Sequence, residues 1–178
     1  MNNLAALAEP EAGLGFAVAG TADGHRDIVR PLAWKQAGQD VAYWPDSDAT
    51  TFDKYNVRNG LYNVWASVAF YAYEGGTDGS YADPDVQVFG EYLDGASAPA
   101  GSTKSITEVA VSKYFIPTCA MSVKRDTDMG PMYAYEPAEP CGCYFESATT
   151  GASSCSSCDD DNPCSGTDVC RLGFCEAR

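Results

Sequence analysis

The chain has 178 residues, of which 45% are hydrophobic and 12% aromatic, and it carries a formal net charge of −14 from 25 acidic and 11 basic side chains. This length suits one domain with a small appendage, and the apolar content suits a packed core rather than a disordered acidic tail. The electric field of this negative charge repels phosphate backbones and anionic membrane surfaces. We therefore expect no nucleic-acid partner.

The cysteines are concentrated at the C-terminal end. None lies in the first 118 residues, and seven lie in the last 38. An even number of cysteines, separated by Ser, Gly, Asp, Asn and Pro, is typical of a disulfide framework formed in an oxidising compartment. We therefore expect four disulfides among Cys119, Cys141, Cys143, Cys155, Cys158, Cys164, Cys170 and Cys175. An even pairing requires Cys119 to reach one of the seven downstream cysteines, and we expect its partner to be Cys141 or Cys143.

Zinc is the alternative interpretation of these cysteines. Cys155 and Cys158 have the C-x-x-C spacing, and Cys141 and Cys143 form a second close pair. Zinc ribbons usually set two C-x-x-C pairs at a regular interval and often add histidine, whereas His25 lies far upstream. We therefore expect disulfides, with neither a metal nor a cofactor.

Apolar runs bounded by Gly, Pro and polar residues predict the elements of the first third of the chain. Three of these runs predict strands, at residues 13–20, 28–34 and 41–44. The end of a helix is expected before them, at 3–9, and a short helix after them, at 46–55, with Ser47 or Asp48 as its cap.

The clearest strand pattern in the chain runs from Leu61 to Tyr73. Its even-numbered positions are all apolar, namely Tyr62, Val64, Ala66, Val68, Phe70 and Ala72. This alternation predicts a central strand whose even-numbered side chains are buried. The aromatic side chains of this stretch could instead form a stacking surface for sugars, but at strand spacing they more often belong to a core.

Two helices with strong capping signals follow. Asp83-Pro84 supplies an N-cap and a proline at the first helical position, and Gly95 lies past the predicted end. The segment 105–108 (Ser-Ile-Thr-Glu) is a capping box that opens a helix ending near Pro117.

Pro137, Pro140 and the glycines after them mark a boundary between two regions. We expect a body at 1–136 and a cysteine-rich tail at 137–178. Strands with interspersed helices predict an α/β body. The tail has few large apolar side chains, so we expect its order to come from cross-links, each contributing about 2–4 kcal/mol.

Segments of the body together resemble a known family. Residues 14–17 (Leu-Gly-Phe-Ala), followed by 28–33 (Ile-Val-Arg-Pro-Leu-Ala), are similar to the second lobe of bacterial periplasmic phosphate-binding proteins, which have the type II periplasmic-binding fold. Residues 56–65 look like that family's strand returning across the hinge, although Asn63 stands where the family has proline. The helix at 83–95 looks like the start of its C-terminal helical segment. The resemblance implies a partial lobe, with a mixed sheet and flanking helices, that lacks the first lobe.

The tail resembles the short Cys-rich modules appended to bacterial surface proteins and lipoproteins. The stretch from Cys164 to Cys175, with Cys170 between them, carries this likeness. It implies a small, irregular, disulfide-rich module through which a surface protein could be contacted.

The candidate ligand-binding residues are Thr21, His25, Arg26, Arg58 and Tyr62. The first three lie in a polar loop after a predicted strand, where ligands sit in an α/β lobe, and arginine suits a planar anion. Arg58, near Tyr62, could reach a cleft between lobes. The alternatives are a surface loop with an ordinary salt bridge, and an arginine whose stem packs on aromatic rings.

These observations predict a non-enzymatic, extracytoplasmic binding domain for a small anionic or polar ligand. The alternative is a structural or adhesive surface protein that keeps the fold as a scaffold. His25 is not expected to be catalytic, because no Ser or Cys nucleophile motif accompanies it. Residues 1–13 contain no export signal, so we expect a fragment whose signal and first lobe lie upstream. No stretch approaches the length of a membrane span.

Overall fold

The computed structural model describes residues 14–15, 17–73, 75, 81–160 and 162–177. The described helices are α1 (Ala19–Asp23), α2 (Tyr55–Arg58), α3 (Pro84–Leu93), α4 (Ile106–Ser112) and α5 (Gly142–Thr150), with a 3-10 turn at Thr118–Ala120. The described strands are β1 (Val123–Lys124), β2 (Tyr133–Ala134), β3 (Val169–Arg171) and β4 (Phe174–Glu176). The fold therefore combines helices with little sheet and a disulfide-rich C-terminal region.

Both sheets are two-stranded antiparallel hairpins. In the first, Val123 lies opposite Ala134. In the second, Cys170 lies opposite Cys175, and Leu172 and Gly173 form the turn between the strands. Both turn residues have positive φ, at 48° and 84°, as a two-residue type I′ turn requires.

The two capped helices are confirmed. The Asp83 side chain accepts a hydrogen bond from the N–H of Asp85 at the start of α3, and Gly95 follows its end with φ of +97°. At α4, Ser105 and Glu108 exchange the reciprocal hydrogen bonds of a capping box. The helix ends at Ser112, earlier than the predicted end near Pro117.

The strands predicted in the first third do not form among the described residues. The first run instead leads into helix α1, with Leu14 and Val18 exposed, while Gly13, Phe16 and the helix end at 3–9 lie outside the described residues. The second and third runs meet only at one antiparallel bridge between Trp34 and Tyr43.

The short helix predicted at 46–55 is also wrong. Asp48 Oδ1 accepts hydrogen bonds from the backbone N–H groups of Thr50 and Thr51, at 2.6 and 2.9 Å. Such local side-chain bonds compete with helical backbone bonds, so helix α2 begins only at Tyr55.

The predicted central strand, Leu61 to Tyr73, is wrong as well. No ladder pairs it within the described part of the chain, and every residue from 66 to 73 is exposed. Alternating apolar side chains bury one face of a strand only where neighbouring strands form a sheet and a second layer covers that face. Neither is provided by the described residues, so the larger mixed sheet implied by the resemblance does not form among them.

The apolar core lies where the C-terminal region meets α4. Its buried residues are Val111, Ala120, Cys141 and Phe145, flanked by Ile116, Cys119 and Tyr144. Side chains from both sides of residue 137 therefore share one core. The division into a body at 1–136 and a tail at 137–178 stays a prediction.

Candidate functional site

The four predicted disulfides are present and involve all eight cysteines. The pairs are Cys119–Cys141, Cys143–Cys155, Cys158–Cys170 and Cys164–Cys175. Cys119 thus bonds one of its two expected partners, with its Cα 5.2 Å from that of Cys141.

One group of sulfurs in the described chain has metal-like spacing. The Sγ atoms of Cys158, Cys164 and Cys175 all lie within 4.8 Å of one another. Each sulfur is part of a disulfide, however, and zinc is bound by cysteine as the thiolate. The grouping therefore reflects two neighbouring disulfides.

The last strand is joined to helix α5 through Glu176. Its side chain is buried, and its Oε1 accepts hydrogen bonds from the N–H groups of Cys143 and Tyr144, at 2.9 and 3.1 Å. These N–H groups belong to the first turn of α5, where the helix supplies no backbone acceptors. A carboxylate there both satisfies the donors and suits the positive end of the helix.

Arg58, a predicted ligand residue, is half-buried and makes several contacts inside the fold. Its Nε donates to the carbonyl of Ala120 at 2.8 Å, and its Nη2 donates to the carbonyl of Gly142 at 3.4 Å. The guanidinium also lies 5.1 Å from the centre of the Phe145 ring. Burial lowers the pKa of Arg58, and the largest of the opposing effects on that pKa comes from the charge of Glu146.

Arg26, a second predicted ligand residue, belongs to a cluster of four charged side chains. Its Nη2 lies 2.5 Å from Oδ1 of Asp23 and 2.5 Å from Oδ2 of Asp46. Lys54 Nζ lies 2.6 Å from Oδ2 of Asp23 and 2.9 Å from Oδ1 of Asp46. We call these four residues the buried quartet, in which Asp23, Asp46 and Lys54 are buried and Arg26 is half-buried. The two negative charges of the quartet equal its two positive charges, so the cluster has no net charge.

The backbone around the quartet supports the arrangement. Lys54 has φ of +49°, and its N–H donates to Oδ1 of Asp46 at 2.8 Å. The ring of Phe52 lies 4.7 Å from the Arg26 guanidinium. Burial tends to lower the pKa of Arg26, but hydrogen bonds and charge from Asp46 and Asp23 outweigh it and raise that pKa. An added anion would therefore compete with two carboxylates already in place.

The other predicted ligand residues are dispersed. Thr21 is exposed on α1, and His25 is half-buried, with its Nδ1 lacking a hydrogen-bond partner in the described structure. Tyr62 is half-buried, and this burial raises its pKa. Among the described residues, no hydrogen bond joins Arg58 or Tyr62 to the loop of Arg26.

One exposed apolar feature of the described residues is the segment 64–73, which we call the aromatic strip. Phe70 is 64% exposed, Tyr71 93% and Tyr73 82%. The ring of Phe70 meets that of Phe89 on helix α3 edge to face, with centroids 6.1 Å apart, and Phe89 is itself 47% exposed. The interpretation of Phe70, Tyr71 and Tyr73 as core residues is therefore wrong.

Arg125 holds the start of the aromatic strip. Its guanidinium lies 3.9 Å from the centre of the Trp65 ring and donates to the carbonyls of Asn63 and Trp65, at 3.1 and 3.4 Å. The N–H of Ser67 donates to Oδ1 of Asp128 at 3.3 Å. From Val68 to Ala72, the backbone makes no hydrogen bond within the described structure.

Comparison of the chain with protein-family models, with curated proteins and with solved structures finds no match. Within the ranges that the structure describes, no helix has the length and apolar character needed to cross a membrane.

Proposed function

We propose that this chain is an extracytoplasmic, non-enzymatic interaction domain of a structural or adhesive surface protein. The aromatic strip is the contact surface, and the disulfide-bonded C-terminal region is the rigid base. The observation that carries the proposal is the exposure of Phe70, Tyr71 and Tyr73 in one continuous segment. Exposed apolar patches of this kind mark sites of protein contact, because water leaves them favourably when a partner covers them.

The cysteine chemistry supports the proposed location. Four disulfides persist in oxidising compartments such as the periplasm, the cell surface or the extracellular space, whereas cytosolic thiols are kept reduced. The net charge of −14 also suits an exported protein that must stay soluble while it displays an apolar segment.

Binding of a phosphate-like anion, as in the solute-binding family that the sequence resembles, remains the alternative hypothesis. The internal partners of Arg26 and Arg58 weigh against it, since an anion must displace Asp23 and Asp46 at the first or buried carbonyl contacts at the second. A thermal shift with inorganic phosphate separates the hypotheses, because a ligand that binds the native state raises the melting temperature. We expect no rise with phosphate relative to chloride at equal ionic strength.

Site-specific photo-crosslinking in the producing cells tests the interaction proposal. A p-benzoylphenylalanine residue replaces Tyr71 in the strip or, as the control, the exposed Val41 outside it. We expect a crosslinked adduct from the position of Tyr71 and none from that of Val41, with the adduct identified by mass spectrometry. Equal yields at both positions, or no adduct at the position of Tyr71, would overturn the proposal.

A further inference from the structure

We propose that the partner of the aromatic strip is a second copy of this chain, paired antiparallel along residues 65–73, so that Val68 of one copy lies opposite Phe70 of the other. This inference rests on the proposed function and names the partner of the same surface. Three features of the strip support it: its lack of charge, its unpaired backbone and its area.

The first feature is charge. Residues 59–73 contain no charged side chain, in a chain whose net charge is −14. Two copies of so acidic a protein repel each other over most of their surface. In antiparallel self-pairing, every residue from 65 to 73 faces another from the same range, and like charges placed opposite one another are destabilising. The strip avoids this penalty along its whole length.

The second feature is the backbone. From Val68 to Ala72, the N–H and C=O groups form no hydrogen bond with the described residues. The strip is rich in Val, Phe and Tyr, which favour strands. An unpaired segment of this composition gains main-chain hydrogen bonds when a second strand is added to it. In this arrangement, the alternating segment forms a strand that pairs with the same segment of the second copy.

The third feature is area. Covering an aromatic side chain buries about 150–250 Å², so the exposed fractions of Phe70, Tyr71, Tyr73 and Phe89 offer on the order of 400–700 Å². The exposed valines Val64, Val68 and Val88 extend this surface. A stable interface covers about 800 Å² on each partner, which the combined patch approaches. Antiparallel pairing about a two-fold axis uses the same patch on each copy, so the assembly stops at two chains.

Sedimentation velocity on the oxidised full chain, over a concentration series, tests the inference. One double variant carries Val68→Lys and Phe70→Lys, and a second carries Val68→Glu and Phe70→Glu. Because all these side chains are exposed, the variants should keep the wild-type circular dichroism. Val41→Lys, at an exposed apolar position outside the strip, is the matched control.

We expect a concentration-dependent dimer for the wild type and for Val41→Lys. Each double variant should dimerise more than about tenfold more weakly, because it places like charges opposite one another. An equimolar mixture of the two double variants should regain a heterodimer through opposite charges. A wild type that stays monomeric, or double variants that dimerise like it, would overturn self-pairing. If the crosslink at the position of Tyr71 then identifies another protein, the proposed function stands and only the identity of the partner is wrong.

Discussion

The guanidinium of Arg58 lies 5.1 Å from the ring centre of Phe145, which joins helix α2 to the disulfide-bonded C-terminal region. Phe145 is fully buried, and the same arginine donates to the carbonyl of Ala120 in the core. One cation therefore links three segments that are far apart in sequence. We expect the stability of the whole chain to depend on it.

Arg58→Met should lower the free energy of unfolding by about 2–3 kcal/mol. The apolar stem is retained, but the charged hydrogen bonds are lost and the buried carbonyl of Ala120 is left without a donor. Urea denaturation measures this change. Arg30→Met, at an exposed position, is the control and should change stability by less than about 0.5 kcal/mol. Equal effects of the two substitutions would show that Arg58 is not a structural hub.

Asp46→Asn should destabilise the fold by about 3–5 kcal/mol, because it leaves the two cations of the buried quartet facing a single carboxylate. Asp27→Asn removes the same charge at an exposed position and serves as the control. Thermal and urea unfolding of both variants provide the measurement. If Asp46→Asn is as stable as Asp27→Asn, the quartet is solvated rather than buried.

Local signals in the sequence predict local structure well. The N-cap at Asp83 and the capping box at 105–108 depend only on residues within one helical turn, and both are confirmed. The even cysteine count predicts that Cys119 bonds a downstream cysteine, with Cys141 and Cys143 as the two candidates, and the structure has the bond to Cys141. Disulfide formation and helix capping can therefore be predicted without knowledge of the tertiary fold.

Long-range relationships were not predictable from the sequence. The pairing of Asp23 with Arg26 has helical i,i+3 spacing, but the sequence indicates a salt bridge in this loop only as an alternative to ligand binding and does not name its partners. The burial of the pair depends on Asp46 and Lys54, which are distant in sequence. The aromatic strip has the alternation of a buried strand, and alternation does not say which chain supplies the neighbouring strand. No signal in a single sequence distinguishes a strand pattern that is buried from one that is exposed.

The capping box makes stability depend on pH. Hydrogen bonds from the backbone N–H and the hydroxyl of Ser105 lower the pKa of Glu108 below its ordinary value of 4.5. A carboxylate with a lowered pKa in the folded state contributes stability that is present above the unfolded pKa and is lost as pH falls through the folded pKa. We expect the stability of the wild type relative to Glu108→Gln to fall as pH decreases from about 5 to about 3.

Denaturation of the two proteins at several pH values measures this difference. Glu136→Gln, at an exposed carboxylate, is the matched control. A difference between wild type and Glu108→Gln that stays constant over this range would contradict the role of the ionised carboxylate in the cap.

The disulfides should differ in what they stabilise. Cys141 is fully buried in the core beside Phe145, whereas Cys164–Cys175 cross-links residues only 11 apart near the terminal hairpin. Replacing Cys119 and Cys141 with alanine should lower the melting temperature of the whole chain more than replacing Cys164 and Cys175. Each bond contributes about 2–4 kcal/mol through the unfolded chain, and the first also fills the core.

Thermal unfolding with limited proteolysis checks this order. We expect loss of Cys164–Cys175 to expose cleavage sites only in the C-terminal hairpin region. Equal loss of melting temperature in both alanine pairs would mean that the core does not depend on the Cys119–Cys141 bond.

Amide hydrogen exchange along the aromatic strip tests most directly whether it is an available contact surface. In dilute, monomeric protein we expect the amides from Val68 to Ala72 to exchange as fast as those of an unstructured chain, because no described residue accepts a hydrogen bond from them. The amide of Phe145 in helix α5 should exchange slowly. At concentrations that populate the dimer, the same amides should become protected. Slow exchange of these amides in the monomer would mean that the strip is a strand of the folded chain itself, which would contradict its role as a surface for a partner.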